Sequence, residues 1–224
     1  MKQLAAVAPP HAVEPLARIL RLQAEDPTAS TTVRTVEEAI PRHVADSLTA
    51  LQLPYVSAAT RIADLGSGAG WPGLALAAAL PQAVVTLVES QSRRTRYLER
   101  AVEVSGLANV RVVTARAEAW PEGLLAHDLV TARALAALPV ILEYAAPLLV
   151  EGGYLVCWKG AVGASESAAG AGAAEILGLK ALEPVPVVPY AGARDHTLHG
   201  FRKVAPTPER FPRRPGMAAK RPLG

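Results

Sequence analysis

The chain of 224 residues has one cysteine, no uninterrupted apolar run of the roughly 18 residues a membrane-spanning helix needs, and no basic stretch leading into a compact apolar segment at its start. A single thiol, Cys157, excludes an internal disulfide framework and fits a reducing, cytoplasmic compartment. The missing apolar run argues against a transmembrane helix, and the missing leader pattern leaves no secretory signal to expect. Five histidines are present, but none clusters with Asp or Cys at ligand spacing, so no metal is expected. No internal repeat is found. Cys157 lies within the apolar run Tyr154-Leu155-Val156-Cys157-Trp158 and reads as a packed core residue rather than a nucleophile.

Half of the residues are hydrophobic, which excludes a disordered chain and is enough for one substantial core. The net charge of +3 hides an asymmetry: residues 201 to 224 hold seven basic side chains against Glu209 alone, a net +6, and the remaining 200 residues carry 16 basic and 19 acidic side chains, a net −3. A basic, Pro-rich tail on a mildly acidic body suits contact with a polyanion, and it also suits a solvated tail or one folded back on the body.

The middle of the chain alternates strand and helix patterns, the mark of a doubly wound parallel sheet. Two helix-like stretches, Ala12 to Ala24 and Val36 to Leu51, precede it as an N-terminal cap. Strands are expected at Arg61–Leu65, Val84–Val88, Val110–Thr114, Leu129–Ala132 and Tyr154–Trp158, with helices near Pro72–Leu80, Ser92–Val104 and Val140–Leu149. The Gly-, Ala- and Ser-rich stretch from Gly160 to Ala174 reads as part loop and part helix, and Val185–Val188 with Thr197–Val204 as a closing antiparallel hairpin.

Strand Arg61–Leu65 runs into Asp64-Leu65-Gly66-Ser67-Gly68-Ala69-Gly70-Trp71-Pro72-Gly73, a Gly-rich turn that opens a helix and so turns backbone N–H groups toward a ligand at the strand's carboxyl end. A dinucleotide fingerprint would place glycine at the sixth position of the turn, where this chain has Trp71. The acid-x-Gly-x-Gly-x-Gly run instead resembles motif I of the class I methyltransferases that use S-adenosylmethionine; the alternative is a tight Gly turn in any α/β protein. Glu89, at the end of the second strand, is placed to accept both hydroxyls of a ribose, or is a surface acid starting a loop. Glu118, past the third strand, either holds an adenine edge or caps a short helix. Arg133 follows the fourth strand and faces the place where substrate and methyl donor meet. Arg133 and Lys159 are expected on the reaction side as donors to a base or phosphate, and His43 is either a substrate contact or a histidine bonded within the cap.

Together with the Gly-rich run, His43-Val44-Ala45-Asp46-Ser47-Leu48, Arg116-Ala117-Glu118, Thr131-Ala132-Arg133-Ala134, Lys159-Gly160 and Phe211-Pro212-Arg213-Arg214-Pro215-Gly216 carry a resemblance, from about residue 36 onward, to the RsmG (GidB) family. That resemblance implies an α/β fold of the class I S-adenosylmethionine-dependent, Rossmann-like kind: a mostly parallel seven-stranded sheet, helices on both faces, and an N-terminal helical cap. The divisions implied are a cap over residues 1–58, a methyltransferase domain over 59–204 and a basic tail over 205–224. It implies methyl transfer to N7 of a guanine in the decoding-region hairpin of 16S rRNA, within the small ribosomal subunit or an assembly intermediate, and no membrane partner. The other readings are a methyltransferase for a small molecule or protein, and an inactive cofactor-binding protein that holds RNA. The resemblance places cofactor contacts at Gly66, Trp71, Ala117, Glu118 and Arg133 and the usual acidic site at Glu89. Gly68 and Gly70 of the turn join them as expected cofactor contacts, and His43, Arg133, Lys159, Arg213 and Arg214 are the expected RNA contacts. N7 carries a lone pair and no proton, so no general base is expected; the Asn-Pro-Pro-aromatic signature of amino-group methyltransferases is absent after the fourth strand. Two departures stand out: Ala29-Ser30-Thr31-Thr32 where Asn-Leu-Thr-Ala is common, and His196 where arginine is frequent.

Overall fold

The computed structural model describes residues 2–224, and its centre is one sheet in the order β3-β2-β1-β4-β5-β8-β6, with β7 also on β8. The strands are β1 (Arg61–Leu65), β2 (Val84–Glu89), β3 (Val110–Thr114), β4 (His127–Arg133), β5 (Leu149–Lys159), β6 (Leu179–Ala181), β7 (Val185–Pro186) and β8 (Thr197–Lys203). The first five pair in parallel and β8 runs antiparallel to β5. Strand order reverses between β1 and β4, which opens a crevice at their carboxyl ends. β1 can be central because Ile62, Ala63, Asp64 and Leu65 are all buried, as a strand covered on both faces requires.

Eight strands occupy the seven positions expected, because the edge position outside β8 is split. Ala181 pairs Phe201, whereas Val185 pairs Leu198, a register one residue further on. Pro184 lies in the gap and has no N–H to give the ladder.

Ten α-helices are present among the described residues: α1 (Lys2–Val7), α2 (Val13–Glu25), α3 (Val36–Ala39), α4 (Asp46–Leu48), α5 (Pro54–Ser57), α6 (Gly73–Ala79), α7 (Ser92–Ser105), α8 (Leu138–Ala145), α9 (Ala164–Ile176) and α10 (Met217–Lys220). One apolar cluster joins α1, α2, α6 and α7 to one sheet face, and a second joins α8, α9 and Phe211 to the other. The first explains the periodicity of α2, whose Leu16, Ile19, Leu20 and Gln23 share the buried face. Gly106, at φ 72°, ends α7 in the left-handed conformation. None of these helices is long and apolar enough to cross a membrane.

Three departures from the sequence expectation bear on the site. The helix expected over Val36–Leu51 is broken by a π-helical stretch, Ile40–Ala45, and closes in a 3-10 turn, Thr49–Gln52. Pro41 cannot donate the bond an α-helix needs there, and the widened turn aims His43 and Asp46 at the crevice. β4 extends through Arg133 instead of ending at Ala132. The helix expected to reach Leu149 ends at Ala145, because Pro147 sits in the following turn and Leu149 already begins β5.

Candidate active site

The Gly-rich turn hangs on a buried acid. Asp64 accepts from the Thr131 hydroxyl at 2.8 Å and from the Gly73 N–H at 3.3 Å, which fixes β4 and the start of α6 against the end of β1. Burial pushes the Asp64 carboxyl up to about 6, against the pull of these hydrogen bonds. Gly66, Gly68 and Gly70 all have positive φ, at 65°, 56° and 98°. A side chain on Gly68 would meet only the Gly66 carbonyl, 3.7 Å away, so this part of the turn offers bare backbone to an open crevice. A side chain on Gly70 would run into Leu74, so that glycine is a packing requirement.

Glu89, 3% exposed at the tip of β2, lies under the turn. One carboxylate oxygen accepts from the Gly68 N–H at 3.2 Å and the other from the Gln91 N–H at 2.9 Å; the Arg94 guanidinium stands 3.6 Å away. A cavity of about 140 Å³ lies beside it, walled by Gly66, Val88, Ala117, Glu118, Leu135 and Tyr144. Its size and its apolar walls with one carboxylate suit the flat base of a nucleoside.

Trp71 is buried and lines the crevice without being free to swing. Its indole N–H donates to Gln23 Oε1 at 2.7 Å, and its ring stacks on His43 at 5.6 Å and 16°. Arg133 can only donate to His43 Nδ1, at 3.2 Å, so the neutral imidazole carries its proton on Nε2 and gives it to the Thr31 hydroxyl at 3.0 Å. Burial first, and then the charge of Arg133, push His43 down to about 4. These contacts hold Ala29–Thr32, the first departure noted above, over a crevice of about 640 Å³. His43 is thus bonded to Thr31 of the cap and also lines the crevice.

Asp46 is a hub of the site that no local sequence pattern singles out. It is 4% exposed and divides its carboxylate between two partners, Arg133 Nη1 at 2.8 Å on Oδ2 and His196 Nδ1 at 3.0 Å on Oδ1. Its backbone carbonyl accepts from the Trp158 indole at 2.9 Å. His196, the second departure, is thus the partner of a buried carboxylate. The His-x-x-Asp spacing does no more than place His43 and Asp46 on one helix face. Around this hub a second cavity of about 600 Å³ is lined by Arg42, Arg133, Lys159, Tyr190 and Arg194. His43, Arg133 and Ala134 line both of these cavities, so the two meet at the end of β4. Tyr190, Arg34 and Arg194 lie on loops or bends whose sequence carries no period to reveal them, and Arg42 lies in the π-helical stretch.

Two expected RNA contacts are placed differently. Lys159 is tied to Glu166 at 2.6 Å and to the Ala136 carbonyl at 3.2 Å, which leaves one N–H for a ligand. Arg213 lines neither cavity of the crevice. Its guanidinium forks onto Glu143 of α8, Nε at 2.8 Å and Nη2 at 2.5 Å, and Glu143 is only 1% exposed. The acid is buried by its own helix and needs a cation, so Arg213 is its counter-charge while Arg214 stays exposed. Among the described residues, no group of three or more His, Cys, Asp or Glu side chains converges as metal ligands.

The family described as GidB, rRNA small subunit methyltransferase G, matches residues 22–188. Ribosomal RNA small subunit methyltransferase G of Rubrobacter xylanophilus is 42% identical over 196 residues, covering 85% of this chain and 75% of the relative. The protein of the same name from Chloroflexus aggregans is 40% identical over 198 residues, covering 86% and 82%. Among solved structures, a SAM dependent methyltransferase from Aquifex aeolicus superposes with a TM-score of 0.59 at 16% identity, covering 84% of this chain and 98% of that one. Fibrillarin of Aeropyrum pernix, with natively bound S-adenosyl-L-methionine, gives 0.57 at 20% identity, covering 72% and 75%. The last two likenesses establish the class I methyltransferase fold.

Proposed function

The chain belongs to the rRNA small subunit methyltransferase G family, and from that premise we propose that it uses S-adenosylmethionine to methylate 16S rRNA at N7 of a guanine in the decoding-region hairpin. The observation that carries the reading is the confluence at Arg133. On one side lies the bare glycine turn with Glu89; on the other lies a basic cavity with the rings of Tyr190 and Trp158 at its wall.

The residues fit the cofactor. Gly68 leaves open space beside backbone, Glu89 presents a buried carboxylate to a ribose, and Ala117, Glu118 and Tyr144 wall a slot for an adenine. When bound, S-adenosylmethionine supplies a methyl group on a cationic sulfur. N7 of guanine already has its lone pair exposed, so the protein's task is to hold that edge in line and keep it dry. Arg133 has spent Nη1 on Asp46 and Nη2 on His43, and its remaining N–H groups and its charge are left to a polar base edge or a phosphate. Tyr190 offers a face on which a splayed base can stack. Arg34, Arg42 and Arg194 are exposed at the rim, suited to the flanking phosphates. Cells that hold the assembling small subunit hold it in the cytoplasm, which is where we place the protein.

The test is incubation with labelled S-adenosylmethionine and either unmethylated 30S subunits or naked 16S rRNA, followed by mapping of N7-methylguanine. Label at one guanine of the decoding hairpin is the expected result. Label only on protein or a small molecule, or RNA binding with no transfer, would replace the reading with one of its two rivals.

A further inference from the structure

The C-terminal segment is charged enough to suggest an RNA arm, but its contacts lead elsewhere. Phe211 is buried in the apolar cluster that includes Leu138 and Ile141 of α8. Two residues on, Arg213 forks onto Glu143, and its Nη2 also donates to the Arg221 carbonyl at 2.8 Å, which folds the tail's end back on itself. Three residues further, the Gly216 N–H donates to Glu118 Oε1 at 2.9 Å; Gly216 has φ 84°, the left-handed conformation. Ala218 then buries its methyl group.

The two acids on which the tail docks are tied to the small cavity assigned above to the adenine in different ways. Glu118 lines it directly, and Glu143 is the chain neighbour of Tyr144, which lines it from α8. Gly216 engages one Glu118 oxygen, and no protein hydrogen bond among the described residues takes up the other.

We propose that the C-terminal tail is a wall brace of the adenosine end of the cofactor pocket, with Arg213 and Gly216 as positioning residues for cofactor binding. This rests on the cofactor reading above. Gly216 orients Glu118, and the Arg213–Glu143 pair fixes the helix turn that carries Tyr144. The two anchors lie on separate elements, the β3–β4 connection and α8, so a docked tail also sets the width of the slot between them.

By linkage, a ligand that needs the docked tail must stabilise the docking by the same factor. The first arm therefore uses the wild-type protein: saturating S-adenosylmethionine slows amide hydrogen exchange over residues 211–218. In the second arm, Arg213→Ala weakens S-adenosylmethionine and adenosine alike, on the order of ten-fold, as is usual for coupling through one shared contact. Arg213→Lys falls between, since ammonium keeps the charge and loses the fork. RNA affinity at saturating cofactor stays at the wild-type value, and Arg214→Ala changes no cofactor constant.

Exchange over 211–218 that ignores the cofactor overturns the proposal, whether or not Arg213→Ala folds. So does a folded Arg213→Ala or Arg213→Lys that binds both nucleosides as tightly as wild type, or one that loses RNA alone. Failure of the wild-type protein to bind S-adenosylmethionine would overturn the cofactor reading itself, a different result from failure of the tail.

Discussion

Asp46 and Arg133 lie 87 residues apart in the chain and meet at 2.8 Å where the π-helical stretch of the cap crosses the end of β4. The carboxylate is nearly fully buried, and the guanidinium side chain is 16% exposed, so the pair is held on the protein side of the crevice. A buried pair of this kind gains little over an apolar pair, but breaking one half leaves an orphaned charge. Its value is geometric: the guanidinium is held where the two large cavities join.

Asp46→Ala therefore destabilises the fold by roughly 3–5 kcal/mol, the cost of an uncompensated buried charge. Asp46→Asn costs less, because the amide oxygen still accepts from Arg133, yet it turns an N–H₂ toward His196. The informative readout is the split between constants in Asp46→Asn: methyl transfer slows with cofactor affinity kept. Denaturant unfolding and single-turnover labelling measure the two, and a variant with full transfer rate would deny Asp46 a positioning role.

Gly68→Val abolishes S-adenosylmethionine binding in a folded protein. No protein atom except the Gly66 carbonyl stands near the added Cβ, so core packing is untouched. A β-branched residue, however, resists φ 56° and fills the open crevice. Calorimetry with circular dichroism as the folding control checks this; affinity equal to wild type would move the cofactor off the turn.

Glu89→Gln weakens the cofactor by about 1.5–3 kcal/mol, the range for hydrogen bonds to charged groups. The structure adds a local reason. Both carboxylate oxygens accept backbone N–H groups, from Gly68 and from Gln91, and a glutamine must turn its own N–H₂ against one of them. The loss should appear in titrations with adenosine as well, since the ribose is common to both ligands.

How much of this was legible beforehand depends on range. β1, β2 and β3 stand where their apolar runs predicted them, save for one residue at the end of β2, because a central parallel strand is written in consecutive residues. The Gly turn and Glu89 were legible for the same reason: both are set by the ends of such strands. The Asp46–His196 pair joins residues 150 apart, and the Arg213–Glu143 pair joins residues 70 apart, so nothing local announced either. The charge of the tail is legible, and a tail folded back on the body is among its readings, but composition does not show that Glu143 would be the buried acid beside it. The π-helical stretch was hidden by an apolar period that runs through it, although Pro41 marks the place.

His43 gives the fold a pH dependence of known sign. Its ordinary value is 6.5 and burial with the Arg133 charge lowers it to about 4 in the folded protein. The unfolded chain therefore binds the proton first on acidification, and stability is lost as pH falls from about 6.5 toward 4. Asp64 opposes this, since its folded value is raised to about 6 and its protonation favours the fold. The comparison that isolates His43 is the melting temperature of wild type against His43→Gln across that window. Wild type should lose on the order of 1–3 kcal/mol more than the variant. Parallel curves would mean that His43 is charged in the fold, and the Arg133 hydrogen bond to Nδ1 would have to be abandoned.

Salt dependence distinguishes the rim from the tail as the RNA contact. Arg34, Arg42 and Arg194 are exposed around the joined cavities, and none is in an ion pair among the described residues. Each is free to displace counterions from one phosphate. Arg214, Lys220 and Arg221 are exposed too, but none lines either large cavity. Changing the three rim arginines to alanine should flatten the dependence of log K on log salt by roughly 2–3, since each neutralised phosphate contributes about 0.7–0.9 to the slope. Changing Arg214, Lys220 and Arg221 should leave the slope nearly where it was. Cofactor affinity at low salt serves as the control, because none of the six walls the adenine slot. If the tail triple flattened the slope and the rim triple did not, the RNA would approach over α8 and α10, and the cavity at Tyr190 would lose its claim to the substrate base.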